Sequence, residues 1–290
     1  RQALEDLKKQ ESKNSGRVLH ALDLFENLQH TVASNPDAYG QALAEIEKQM
    51  ENIESDFSQF VTLNSSGDPV EAAEILDKTE DRILALTQIV EKVPAIVEDL
   101  TEKLPDQLED LESGYRKLLE SGYHFTETDI ESRFQQLHAS LKNNMSNVSA
   151  LELDNAIYEN EQIQEEIDAL YHIFTREIES QKVVKKLVKQ LPGYLKHAKD
   201  NNSNLAAEVE RLGKTFVLNE AFSQQLKELE AELSSQEDVV EDALKDSSET
   251  QKAYSILKEE LEAIEARLKE IEDEQINLND SLSKIEKDDA

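Results

Sequence analysis

The sequence contains no Cys and no Trp, and only 7 Gly and 5 Pro in 290 residues. Without Cys there is no disulfide framework and no thiolate metal site. So few Gly and Pro cannot supply the turns of a barrel, a sandwich or an α/β enzyme of this length. No apolar run approaches the roughly 18 residues that a membrane span needs, and no signal-peptide apolar region is present. Positive charge is scarce as well: 31 Lys plus Arg stand against 63 Asp plus Glu, a formal net charge of −32. A surface this acidic repels phosphate backbones and anionic lipid head groups, so nucleic acid is excluded as a partner. The acid excess reads as a solvated helix exterior that keeps an elongated protein soluble. The densest basic stretch, Lys182 to Lys189, holds four Lys. The chain opens with Arg1 inside a helical pattern, which reads as a fragment of something longer.

What is present is one period throughout. Tyr39, Leu43, Ile46, Met50, Ile53, Phe57 and Phe60 alternate spacings of four and three. So do Phe222, Leu226, Leu229 and Leu233, and again Leu257, Leu261, Ile264, Leu268 and Ile271. This is the seam of a helix that buries one face against other helices. No stretch alternates with period two, so no strand is expected.

Punctuation divides the helices. Asn35-Pro36 and Asp68-Pro69 place a capping side chain before a proline at the first helical position. Thr128-x-x-Glu131, Ser149-x-x-Glu152 and Ser248-x-x-Gln251 fit capping boxes, and Gly122 and Gly213 fall where helices should stop. Pro94, Pro105 and Pro192 lie inside helical patterns and predict kinks. The expected order is a truncated helix over 1–33, then short helices over 36–62, 128–147 and 219–245 alternating with long ones over 69–121, 150–212 and 249–288.

These pieces repeat. The seam Tyr39/Leu43/Ile46/Met50 matches Ile130/Phe134/Leu137/Leu141 and then Phe222/Leu226/Leu229/Leu233, at shifts of 91 and 92 residues. Leu100, Leu104-Pro105 and Leu108 match Leu187, Leu191-Pro192 and Leu195 at a shift of 87. A small residue sits just inside each long helix, at Ala73, Ala156 and Ala253. A long helix of ~60 residues spans ~90 Å, more than twice the reach of a short one. Each long helix must therefore serve two neighbouring bundles. The fold class that follows is all-α: an elongated rod of spectrin-like three-helix-bundle repeats joined by long shared helices. The expected units are 1–122 (first helix truncated), 123–213 and 214–290 (incomplete).

No residue constellation carries catalysis. None of His20, His30, His124, His138, His172 and His197 has a second His or a carboxylate at the spacing of a helical metal motif. His138 and His172, near apolar seams, read as half-buried structural histidines. No Gly-rich phosphate loop or EF-hand loop is present. Asn64-Ser65-Ser66 fits a glycosylation sequon of the kind that arises by chance. Phe57, Phe60, Phe134 and Phe222 fall on the seam as core. Tyr123 and Phe125 flank Gly122 at an inter-helix corner, where packing under a loop outweighs a partner site. No catalytic, cofactor-binding or metal-ligating residue is assigned, and no cofactor is expected.

The residues carry one family resemblance. The Leu-Pro repeat, the stretch Val93-Pro94 … Leu104-Pro105 … Ser113-Gly114-Tyr115 … Gly122-Tyr123, and Asn219-Glu220-Ala221-Phe222 … Leu226 … Leu229 resemble the EzrA family, the septation ring formation regulators of low-GC Gram-positive bacteria. The resemblance implies a curved cytoplasmic rod of spectrin-like repeats, anchored by one N-terminal transmembrane helix at the division septum. It implies interaction with the tubulin-like division protein FtsZ, restraint of ring assembly at wrong sites, and links to septal wall-synthesis proteins. The family's membrane helix and its short C-terminal patch lie outside these 290 residues, so no binding residue is carried over. Leftover apolar stripe at the rod ends allows an antiparallel homodimer. Two alternatives are weaker. A eukaryotic spectrin or α-actinin-type crosslinking rod usually places a Trp in its first helix and has a longer period. A lipid-surface protein of amphipathic helices needs basic flanks beside a broad apolar face, and here the seams are narrow and the flanks acidic.

Overall fold

A computed structural model describes residues 1–245 and 251–288. Among them there is no strand; the chain is α-helical, as its period requires. The helices are α1 (Gln2–Ser34), α2 (Leu43–Ser65), α3 (Pro69–Glu98), α4 (Leu104–Glu120), α5 (Ile130–Ser149), α6 (Leu153–Gly213), α7 (Glu220–Ala243) and α8 (Tyr254–Asp288). A 3-10 segment, Pro36–Ala42, leads into α2, and a π-helical turn, Asp99–Lys103, separates α3 from α4. The chain divides into two compact units. Unit 1 is Arg1–Glu112 with Asp129–Ala169; unit 2 is Ser113–Thr128 with Leu170–Ala290.

In unit 1, α1 and α3 run parallel and in direct contact, and α2 runs antiparallel to both, packed chiefly on α3. Arg17 on α1 reaches Asp77 at 2.5 Å and Glu80 at 3.0 Å on α3, while Arg82 of α3 meets Asp56 of α2 at 2.6 Å. The seam residues Ile46, Met50, Ile53, Phe57 and Phe60 are buried. Each large apolar side chain removed from water in this way stabilises by about 1.5–3 kcal/mol. In unit 2, α7 runs antiparallel to α6 and α8, which are parallel and in direct contact with each other. Val184, Leu187, Leu191 and Leu195 of α6 join Leu229 and Leu233 of α7 and Leu257, Leu261, Ile264, Leu268 and Ile271 of α8 in one apolar core.

The structure departs from the expected pattern at its edges. Leu43 is only half-buried and Ala42 takes the core position. The cause is Gly40, whose φ of +48° breaks the helical register before α2. In the long helix α3 the fully buried small residue is Ala72, with Ala73 half-buried beside it; Ala156 and Ala253 are buried as expected. Phe222 is half-buried, because it stands at the first turn of α7. Asn35 precedes Pro36 but makes no side-chain cap bond, since the segment that follows is a 3-10 helix. Asp68 does cap α3, accepting the Glu71 N–H at 3.2 Å. The residue before α5 is Asp129, not Thr128, and it makes no side-chain cap bond. Ser149 is still helical, and its hydroxyl donates back to the Met145 carbonyl at 3.0 Å. Ser248, of the third expected capping box, lies outside the described residues.

Candidate functional site

The most elaborately built polar constellation lies in unit 2, where the α4–α5 loop meets α6 and the start of α8. It begins with a helix ending. Gly122, at φ +85°, follows α4, and the Tyr123 N–H closes on the Leu118 carbonyl at 3.0 Å. That reversal turns Tyr123 inward, where it is buried. Its hydroxyl donates to Gln181 of α6 at 2.8 Å, and its ring meets Tyr254 edge-on at 5.0 Å. Two residues on, Phe125 packs against Tyr115 and Phe174 with centroid distances of 5.4 and 5.5 Å, and Tyr115 stacks on Phe174. The corner aromatics thus pack under their own loop.

An ion chain runs beside them. Arg176 of α6 grips Glu127 of the loop through both guanidinium ends, at 2.8 and 3.1 Å. Its Nε donates to Glu177 at 2.9 Å. Glu177 is 0% exposed, and its other oxygen accepts the Ser255 N–H at 3.2 Å. A carboxylate of α6 therefore caps the first turn of α8, satisfying an N–H that has no partner within its own helix. The bidentate Arg176 contact holds the Glu127 carboxyl below its ordinary range, and Glu127 in turn holds Arg176 above its own. Burial pushes the Tyr123 phenol up. With every member engaged, this arrangement fixes helix ends; it presents no free nucleophile or base to a reactant.

Sequence reasoning singled out Tyr123 and Phe125 but not Glu127, Arg176, Glu177 or Gln181. A signal was there: Glu177 falls on the four-three seam between Leu170, Phe174 and Val184, where a carboxylate needs a partner. His138 and His172 are exposed rather than half-buried, each one position off its seam, and His138 pairs with Glu112 across to α4. Among the described residues no group of three His, Asp or Glu side chains is arranged to hold a metal ion. No helix among them is long and apolar enough to cross a membrane.

Fold and site together define an all-helical protein of packed antiparallel bundles whose polar networks hold helices in register. The chain belongs to the EzrA family: the family described as "Septation ring formation regulator, EzrA" matches residues 1–290. The chain is 76% identical over 290 residues to a septation ring formation regulator of Streptococcus sanguinis (strain SK36), covering 100% of this chain and 50% of that protein. It is 65% identical over 289 residues to the regulator of Streptococcus gordonii and 60% identical over 289 residues to that of Streptococcus pneumoniae (strain ATCC 700669), again covering 100% of this chain and 50% of each relative. The chain thus spans about half the length of the curated relatives it matches. No solved structure matches it.

Proposed function

We propose that this chain is part of the cytoplasmic rod of a membrane-anchored division regulator that binds FtsZ, negatively regulates formation and position of the Z-ring, and scaffolds septal and wall-synthesis proteins. It acts by binding and spacing, without catalysis or cofactor. Its sites of action are the inner face of the cell membrane and the septum. Three spectrin-like units, 1–122, 123–213 and 214–290, share long helices, and an antiparallel homodimer forms through the rod. The observation that carries this reading is the family match along all 290 residues. The uninterrupted helix α6, 61 residues long, supports the shared-helix plan.

The test is FtsZ polymerisation followed by light scattering in the presence of the parent cytoplasmic domain. A concentration-dependent change in scattering that weakens with salt is expected. No effect at any salt would overturn the proposal. A thermal-shift panel of metals and nucleotides checks the non-catalytic part, and no ligand-dependent shift is expected.

A further inference from the structure

We infer that the outer end of unit 2 opens by itself, parting from the rest of the unit along a buried layer made by Asn202 of α6 and Gln275 of α8. Both side chains occupy seam positions that the spacing reserves for apolar residues. On α6 the run is Leu195, Ala198, Asn202 and Leu205; on α8 it is Leu268, Ile271, Gln275 and Leu278. Asn202 is 6% exposed and Gln275 4%. The two stand at one level, since Gln275 donates to the Ala198 carbonyl at 2.9 Å, one turn from Asn202. Asn202 donates to the Leu226 carbonyl of α7 at 3.0 Å, so all three helices meet there.

The layer divides the apolar core. On one side Leu195, Ala198, Leu229 and Ile271 belong to a cluster of thirteen buried residues among those described. On the other, Leu205, Leu212, Leu226, Leu278 and Leu282 form a separate cluster of five. Apolar burial holds helices together in proportion to the area removed from water, so the smaller cluster is the weaker. Arg211 of α6 and Glu286 of α8 pair at 3.3 Å across the outer end, but both are exposed, and such pairs contribute little.

The layer itself is incomplete. Asn202 Oδ1 and Gln275 Oε1 are buried and accept no hydrogen bond among the described residues. A buried acceptor without a donor opposes folding. The amides of unit 1 have the finished form: Asn144 donates to Asn160 Oδ1 at 2.8 Å and receives the Asn147 amide at 2.9 Å. In unit 2 the amides fix register through their donors, while their oxygens weaken cohesion at that level. Opening of the outer end releases both oxygens to water with loss of only the smaller cluster. It bares Leu205 and Leu212 of α6 with Leu278 and Leu282 of α8. Elements that change shape are drawn from such regions of low stability.

The test is hydrogen exchange of the whole chain, read by mass spectrometry as urea is raised below the unfolding transition. Amides of 205–212, around Leu226 and of 278–282 should be protected roughly tenfold less, or lower still, than those of 187–195 and 261–268. Their exchange should accelerate together with urea, because a subglobal opening exposes surface, and with a smaller slope than the inner amides show. The α6 and α7 amides are joined by a turn, so they separate this opening from fraying of the last turns of α8. In N202L/Q275M, apolar side chains of similar size join the two clusters. No carbonyl loses its helical partner, since Ala198 and Leu226 lie inside α6 and α7. The step in protection should then vanish. Equal protection and one common urea slope throughout unit 2 of the parent would overturn the inference, as would outer exchange that ignores urea. These parent results stand whether or not the variant folds. A variant that is folded by circular dichroism and keeps the step would overturn it too.

Discussion

Five buried amide side chains are donors to the backbone of a neighbouring helix. Asn14 reaches the Pro69 carbonyl at 2.8 Å, Asn144 the Ala156 carbonyl at 3.0 Å, and Asn160 the Ile96 carbonyl at 3.3 Å. Asn202 reaches Leu226 at 3.0 Å, and Gln275 reaches Ala198 at 2.9 Å. An apolar seam lets two helices slide by a turn at little cost; a buried donor that matches one carbonyl does not. Asn144 also donates to Asn160 at 2.8 Å, so Asn144→Ala should cost about 1–3 kcal/mol. Urea denaturation measures it, and Asn144→Ala with Asn160→Ala should cost less than the sum of the two single changes. The Arg176–Glu127 pair sets a pH dependence. Because the folded-state carboxyl titrates below its ordinary value, its stabilisation is present above that value and is lost as pH falls through the depressed one. Melting temperatures between pH 6 and pH 3 should therefore drop less steeply in Glu127→Gln than in the parent. The apolar seam residues were legible in the sequence because burial is read from spacing. These amides were not, because an Asn on a seam looks like an interruption until its carbonyl partner, such as Pro69 for Asn14, is brought beside it.

At the scale of elements, three helices end with the same reversal. The Asp68 N–H bonds to Leu63 at 3.1 Å, Tyr123 to Leu118 at 3.0 Å, and Glu152 to Asn147 at 2.9 Å. The residue before each donor has positive φ: Gly67 at +91°, Gly122 at +85° and Leu151 at +57°. Two of the three stops use glycine, which adopts this conformation without the penalty a Cβ brings. Gly122→Ala should therefore lower stability by about 1 kcal/mol, seen as a reduced urea midpoint. Leu151 is why the third stop was misread. With no glycine to mark it, Ser149 looked like the start of α6 when it is the end of α5. Gly40 has a second constraint, since a Cβ there would lie 3.0 Å from the Val97 methyl of α3. The proline expectations divide. Pro94 and Pro192 lie within continuous α-helix, whereas Pro105 follows the π turn 99–103. A proline ring clashes with the carbonyl four residues back, and the widened turn just before Pro105 accommodates it. The Leu-Pro dipeptide was visible twice in the sequence, but which copy takes a π turn depends on what packs around it. Glu177 of α6, which caps the start of α8, carries the last element-scale expectation. Glu177→Ala should raise hydrogen exchange at Ser255 and its neighbours while leaving the middle of α8 protected.

For the molecule as a whole, the long helices are the organising feature. α6 contributes its first turns to unit 1 and Leu170–Gly213 to unit 2 without interruption. Its seam runs through both, from Ala156, Ile163 and Ile167 to Leu187, Leu191 and Leu195. At 1.5 Å per residue a helix of this length spans about 90 Å. Small-angle X-ray scattering of the whole chain in solution tests the shared-helix plan most directly. A compact globule of this many residues has a radius of gyration near ~19 Å. The plan predicts roughly twice that, with a cross-section set by three packed helices; a value close to that of the globule would contradict it.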